Sequence, residues 1–213
     1  IIVLYHSTLK HEISVAGRRS RKERILTAMM PPTISQQWAI AIAPIPFAII
    51  SFFSSSYVIY YLLCKDKERQ KLKRLYHRLV LAMNFALVLH SVTWILDPFA
   101  VPEGTPYYFG ASGTIQTCTA NSFIYMTTKL AVPTYYGSLS LQAFMGIKHN
   151  FKEEKYQWIE KFVHIVALCL PCTISIVFAA TENFNPRGTG CFVSKAPQGC
   201  ETDPDVTCQR GKD

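Results

Sequence analysis

Long uncharged stretches alternate with short charged segments along most of this chain. Residues 38–64 contain no Asp, Glu, Lys or Arg across 27 positions, and residues 79–96 contain none across 18. Because a helix rises about 1.5 Å per residue, either stretch can cross a hydrocarbon core of about 30 Å. The pattern predicts an all-α, polytopic membrane bundle at residues 38–181, with helices at 38–63, 76–96, 117–147 and 162–181.

The charged segments set the predicted orientation of these helices. Residues 65–78 (KDKERQKLKRLYHR) hold seven Lys or Arg against two acids, whereas residues 97–117 hold two acids and no Lys or Arg. Residues 148–161 are basic again, with four Lys against three Glu. Since basic loops remain cytoplasmic, we expect a multi-pass protein of the plasma membrane, with its N-terminus and the tail at residues 182–213 extracellular.

Average composition alone would suit a basic soluble protein. The net charge is +8 and the mean hydropathy is only +0.14. The basic residues, however, flank apolar stretches, where they act as topology signals and contact anionic lipid. The lipid bilayer is therefore the predicted partner, and a nucleic-acid partner is not expected.

Residues 1–37 form a basic N-terminal arm, whose predicted outside location conflicts with its charge. We base the predicted orientation on the loops rather than on the charge of this arm. If translation starts at Met29 or Met30, the residues before that start are a gene-prediction artefact. The chain begins at Ile1 and ends in a polar tail, and we interpret it as a fragment of a longer protein.

Four of the seven cysteines fall on the predicted outer side, where oxidising conditions favour disulfides. They are Cys118, Cys191, Cys200 and Cys208, and they allow three complete pairings. A bridge from Cys118 to the segment after the fourth span would pin that segment over the outer mouth of the bundle. A zinc site is the alternative, but the cysteine spacings do not match the usual short ligand pairs. No metal site is predicted.

Polar side chains within the predicted spans are the candidates for a ligand site. Lys129 lies near the middle of the third span, where a charge is costly unless it faces a cavity, water or a partner. It is predicted to face the bundle interior; the alternative is that it extends to an interface. His90, His164 and Asn84 are more simply explained by hydrogen bonds between helices than by proton relay or ligand contact.

Sequence signatures of enzymes are absent. The chain has no Gly-rich phosphate loop, no His-Glu-x-x-His motif and no nucleophile-elbow serine. We therefore do not expect an enzyme, and no catalytic residue or cofactor is predicted.

Several motifs together resemble a known family. Residues 113–120 (GTIQTCTA), the Pro133-Thr134-Tyr135 motif and the Ser-Leu-Ser-Leu of residues 138–141 are similar to the third-helix region of seven-helix receptor-like proteins. These are abundant in diatoms and related algae, and they are similar to slime-mould cyclic-AMP receptors and secretin-like G-protein-coupled receptors. Family members have a basic inner end to this helix, which Lys148 supplies, and a Cys-aromatic pair after the fourth helix, which Cys191-Phe192 fits.

The resemblance implies a G-protein-coupled-receptor-like signalling protein, of which this chain holds four of the seven helices. It implies a disulfide between Cys118 and Cys191, with Cys200 as the alternative partner, and an extracellular ligand at the outer mouth. The inner basic residues would contact a heterotrimeric G protein; they are Lys71, Lys73, Arg74 and Lys148. A four-span transporter or channel subunit, or a membrane adaptor without its own ligand, is the alternative function.

Overall fold

A computed structural model describes residues 33–65, 71–105, 108, 110–187, 190–197, 200 and 206–211. Most of the predicted N-terminal arm and residues 66–70 of the first basic loop lie outside this part. The helices are α1 (Ile34–Ile42), α2 (Pro44–Tyr60), α3 (Leu75–Ala100), α4 (Ile115–Lys148), α5 (Trp158–His164) and α6 (Leu170–Ala180). Two strands follow, β1 (Phe184–Arg187) and β2 (Gly190–Val193).

Two π-helical turns extend these helices into longer segments. One, Tyr61–Lys65, continues α2, and the other, Ile165–Cys169, joins α5 to α6. Proline acts differently at two sites. Pro44 begins α2 after a turn that separates it from α1, as expected for a residue without an N–H donor. Pro133, in contrast, lies inside α4, and this helix of 34 residues continues on both sides of it.

Three helical segments of the described residues are long and apolar enough to cross a membrane: Ile34–Lys65, Leu75–Ala100 and Trp158–Ala180. On the first of them, large apolar side chains point away from the protein. Phe53 is 66% exposed and Ile50 is 62% exposed, whereas Ala48 and Ser55 are buried. Small residues inside and large apolar residues outside are typical of a helix surrounded by lipid.

α4 is not among the three apolar segments, because it carries many polar residues. Several of them are buried: Asn121, Ser122, Thr128, Ser138 and Gln142. The principal apolar core packs α3, α4 and the α5–α6 segment together around the fully buried Leu75 and Leu79 and the nearly buried Tyr135 and Tyr156. The low hydropathy of α4 thus reflects polar groups that face its neighbours.

The predicted all-α class is correct only in part, because a β-hairpin follows the last helix. β1 and β2 pair antiparallel, with Phe184 opposite Val193 and Arg187 opposite Gly190. Asn185 is fully buried and its amide donates to the carbonyl oxygens of Glu182 (2.7 Å) and Ser194 (2.6 Å). The hairpin therefore forms in a polar segment through hydrogen bonds that no hydrophobic pattern indicates.

Candidate functional site

The hairpin is fastened to the start of α4 by a disulfide. Cys118 and Cys191 are bonded, with their Cα atoms 5.3 Å apart, and both are buried against Val101. The alternative partner, Cys200, is instead bonded to Cys208. β2 is consequently held over the ends of α3 and α4.

A half-buried carboxylate at the end of α3 provides a second attachment. Asp97 Oδ1 accepts hydrogen bonds from Asn121 Nδ2 (3.1 Å) and from the backbone N–H of Cys191 (3.4 Å). Its Oδ2 accepts from the Tyr108 hydroxyl at 3.1 Å. Burial raises the pKa of that hydroxyl above its usual range, and the nearby carboxylate acts in the same direction. Tyr108 therefore remains a neutral donor that orients the carboxylate.

Close approach of the hairpin to Asp97 depends on a glycine. Gly190 has a φ of +130°, and a Cβ atom at this position would overlap the Asp97 carboxylate. Only glycine combines this backbone conformation with the space available. The sequence at positions 190 and 191 thus allows β2 to rest directly on the end of α3.

Beneath the hairpin, three aromatic rings contact the ring of Tyr125 of α4; we call these four rings, together with Lys129, the outer aromatic site. The Tyr125 ring stacks on His90, with centroids 5.2 Å apart and planes at 19°. Trp94 and Phe192 each meet Tyr125 edge-on, at 5.5 and 5.7 Å. Two helices and the hairpin therefore contribute to one cluster.

Lys129 lies one turn below Tyr125 and is exposed. Its Nζ atom is 4.6 Å from the centroid of the Phe192 ring and 5.5 Å from that of Tyr125. Cations are attracted to ring faces at these distances. The arrangement presents an ammonium group beside an aromatic wall, which suits an anionic ligand with a planar or apolar part.

His90 is held between α3 and α4 by hydrogen bonds at both ring nitrogens. Trp94 Nε1 donates to its Nε2 at 3.2 Å, and its Nδ1 lies 3.0 Å from Thr128 Oγ1. Since Nε2 accepts, we assign the ring proton of the neutral imidazole to Nδ1. The contact with Thr128 is the predicted hydrogen bond between helices, and together with the bond from Trp94 it fixes the His90 ring against Tyr125.

The other two intramembrane candidates lie away from the outer aromatic site. Asn84 is buried, but its amide donates to the Val80 carbonyl of its own helix at 2.7 Å rather than to another helix. His164 Nδ1 is 3.0 Å from the Tyr135 hydroxyl, which joins α5 to α4 nearer the predicted inner side. Of the four candidates, only Lys129 and His90 contact the same aromatic ring.

An ion pair at the predicted inner side was not anticipated from the sequence. Arg78 of α3 makes two hydrogen bonds to Glu160 of α5, Nε–Oε1 at 2.6 Å and Nη2–Oε2 at 2.7 Å. Arg78 Nη1 also donates to the carbonyls of Leu72 (3.0 Å) and Lys73 (2.7 Å). Glu160 precedes the fourth predicted span and is the sequence feature that could have indicated an ion pair. Its partner, Arg78, lies 82 positions earlier, so the pairing could not be read from the sequence.

The four basic residues predicted to contact a G protein are distributed over two regions. Lys71 and Lys73 bound a short 3₁₀ helix, and Arg74 follows it. Lys148 is the last residue of α4. The side chains of Lys73, Arg74 and Lys148 are exposed, so they are accessible to a partner.

No family model matches the chain, and no curated protein matches it. Within the described part of the chain, no group of three or more His, Cys, Asp or Glu is arranged to hold a metal ion.

Proposed function

We propose that this chain is a receptor-like membrane protein that binds a small anionic ligand at the outer aromatic site. The observation that carries this proposal is the position of Lys129, whose ammonium group lies beside Phe192 of the disulfide-held hairpin and Tyr125 of α4. A ligand here would contact the hairpin and a helix at once. Binding would therefore couple an outer loop to the helix bundle.

The proposal requires α4 to cross the bilayer as a fourth span. Two of its polar residues support this, because they bond to other helices. Asn121 bonds to Asp97 of α3, and the hydroxyls of Thr127 and Ser175 lie 2.9 Å apart between α4 and α6. A helix that satisfies its polar groups against neighbours can span a membrane at lower hydropathy. Four crossings would leave the hairpin and residues 182–213 outside, in the oxidising compartment that disulfides need.

Signalling through a heterotrimeric G protein is the inner half of the proposal. It is supported by the motif resemblance around Pro133 and Tyr135 and by the exposed basic residues Lys73, Arg74 and Lys148. Ligand binding near Lys129 would shift α4, whose last residue at the inner side is Lys148. The change would thus appear at the inner surface as a rearrangement of helices.

A thermal-stability screen of the purified full chain tests the ligand site. Nucleoside monophosphates, dicarboxylates and inorganic phosphate are suitable probes, each added to wild type, Lys129→Met and the control Lys148→Met. An ammonium–anion hydrogen bond is worth about 1.5–3 kcal/mol, so we expect Lys129→Met to weaken binding about 10- to 100-fold. The control should bind like wild type, since it removes the same charge from the inner end of α4, away from the outer aromatic site.

Two results would contradict the proposal. Equal stabilisation of wild type and Lys129→Met would remove Lys129 from the site. Passage of the same anion across the membrane of proteoliposomes containing the chain would assign a transporter or channel subunit instead.

Alkylation of cysteines introduced at Glu154 and Lys195 tests the topology. Four crossings require the cysteine at position 154 to react only from inside and the cysteine at position 195 only from outside.

A further inference from the structure

A groove of about 500 Å³ lies between the outer ends of α4 and α6; we call it the outer groove. Its walls are mostly apolar, and they include Ile115, Phe123 and Ile124 of α4 and Ala179 near the end of α6. The volume is within the range of small-molecule sites, about 300–1,000 Å³. The groove therefore offers room for an apolar ligand or for part of one.

A single cation lies at the mouth of the outer groove among its lining residues. Arg210 Nε donates to Asn185 Oδ1 at 2.9 Å, and its Nη1 is 3.6 Å from Glu182 Oε1. Its backbone is fixed as well, because the N–H of Arg210 donates to the Ala196 carbonyl at 3.1 Å. A guanidinium has five N–H donors, so this one is oriented by the hairpin while retaining donors for a ligand.

The other polar groups of the outer groove also lie near its mouth. Thr119 is occupied, since its hydroxyl donates to the Ile115 carbonyl at 2.9 Å. Gln116, in the first turn of α4, is exposed and also lines the groove. From Gln116 to Ile124 the lining extends about 12 Å along the helix, with its polar atoms concentrated at the outer end.

We propose that the outer groove binds a single-chain amphiphile, with its acyl chain along α4 and its anionic head group on Arg210. Charge complementarity supports the head group, because a guanidinium binds a carboxylate or phosphate through two parallel hydrogen bonds. The apolar walls support the chain. At the outer ends of helices beside a bilayer, an arginine is also at the level where lipid head groups lie.

This site is separate from the outer aromatic site. Ala120 lines the outer groove, and Lys129 follows it by nine residues. At 100° per residue, their side chains are about 180° apart around α4. Variants at one site therefore do not alter the other, and loss of binding at one can be told apart from loss of binding at the other.

Photo-crosslinking of the full chain in phosphatidylcholine nanodiscs tests the proposal. Two diazirine-bearing probes of equal chain length are compared, a fatty acid and an alkyl trimethylammonium. The anionic probe should label the peptide that contains residues 115–124 about tenfold more than the cationic probe, as expected for one charge-assisted hydrogen-bonded pair. Equal labelling by both probes would overturn the proposal.

Matched variants identify the contribution of Arg210. Arg210→Gln should abolish the preference for the anionic probe, whereas Arg210→Lys should retain most of it. Arg187→Gln is the control, since it removes an exposed arginine from the same hairpin, outside the groove lining. Preference unchanged in Arg210→Gln would refute the role of Arg210.

A second variant does not depend on the integrity of the hairpin. Ala120→Phe should fill the groove and reduce labelling by both probes while Arg210 stays in place. Undiminished labelling in this variant would refute the groove as the site. Competition by lysophosphatidylglycerol in the nanodisc, compared with competition by a free alkyl phosphate, distinguishes a membrane lipid from a soluble amphiphile as the source of the ligand.

Discussion

The ion pair between Arg78 and Glu160 should contribute measurably to the stability of the helix bundle. It joins the start of α3 to α5 through two short hydrogen bonds, at 2.6 and 2.7 Å. Exposed ion pairs contribute about 0–1 kcal/mol, and breaking a buried pair costs about 3–5 kcal/mol. The two side chains are 30% and 21% exposed, between these limits. We therefore expect a coupling free energy of about 2 kcal/mol, the magnitude typical of a partly buried, two-bonded charge pair.

A double-mutant cycle isolates this coupling. Arg78→Met alone also loses the hydrogen bonds to the Leu72 and Lys73 carbonyls, so its cost should exceed that of Glu160→Gln. That extra cost is common to the single and double variants and cancels in the cycle. The free energy of unfolding of each full chain is measured by circular dichroism during titration with dodecyl sulfate in mixed micelles.

The control for the cycle is Glu154→Gln, which removes an exposed acid from the same inner loop. It should change the free energy of unfolding by less than about 0.5 kcal/mol, as is usual for surface charges. A coupling free energy below about 0.5 kcal/mol between Arg78 and Glu160 would refute the reasoning. So would equal costs of Glu154→Gln and Glu160→Gln, because the effect would then be one of net charge.

Two further predictions concern the hairpin. Gly190→Ala should destabilise the protein by about 2 kcal/mol or more, because it adds overlap with the Asp97 carboxylate to backbone strain. The control is Gly104→Ala, which introduces backbone strain alone, since Gly104 has a φ of +80° and lies in open space. Equal decreases in melting temperature for the two variants would contradict the predicted overlap. Replacing Cys118 and Cys191 by serine removes a disulfide between residues 73 positions apart. Loop entropy predicts a loss of up to about 4 kcal/mol in the free energy of unfolding, which is measured under non-reducing conditions. An unchanged free energy of unfolding would contradict this prediction.

The helical segments could be predicted from the sequence because lipid imposes a simple rule on composition. The uncharged stretch from Trp38 to Cys64 has few alternatives to a helix, and three segments of the structure satisfy the length and hydropathy of a span. That α4 crosses the membrane as a fourth span stays a prediction. Its Thr, Ser and Asn residues lower the hydropathy, and only the structure indicates which neighbour each one faces.

The candidate site was predictable only where a residue is unusual for its surroundings. Lys129 stands out as a charge in an apolar stretch, and the structure places aromatic rings beside it. Arg78 and Glu160 did not stand out, since each lies among other charges and their pairing is a long-range property of the bundle. β1 escaped prediction for a related reason: its sequence, FNPR, has low strand propensity, and buried Asn185 holds it in place.

The π-helical turn Ile165–Cys169 affects how insertions and deletions in this protein should be read. A π turn accommodates more residues per turn than an α-helix, so it sets the angular phase between the helix before it and the helix after it. His164 on one side contacts Tyr135, and Ser175 on the other contacts Thr127, both on α4. Deleting one residue from this turn would let it close as an ordinary α-helical turn, and Ser175 would keep about the same angle relative to His164. A related sequence one residue shorter here would thus retain both contacts with α4 through a continuous α-helix.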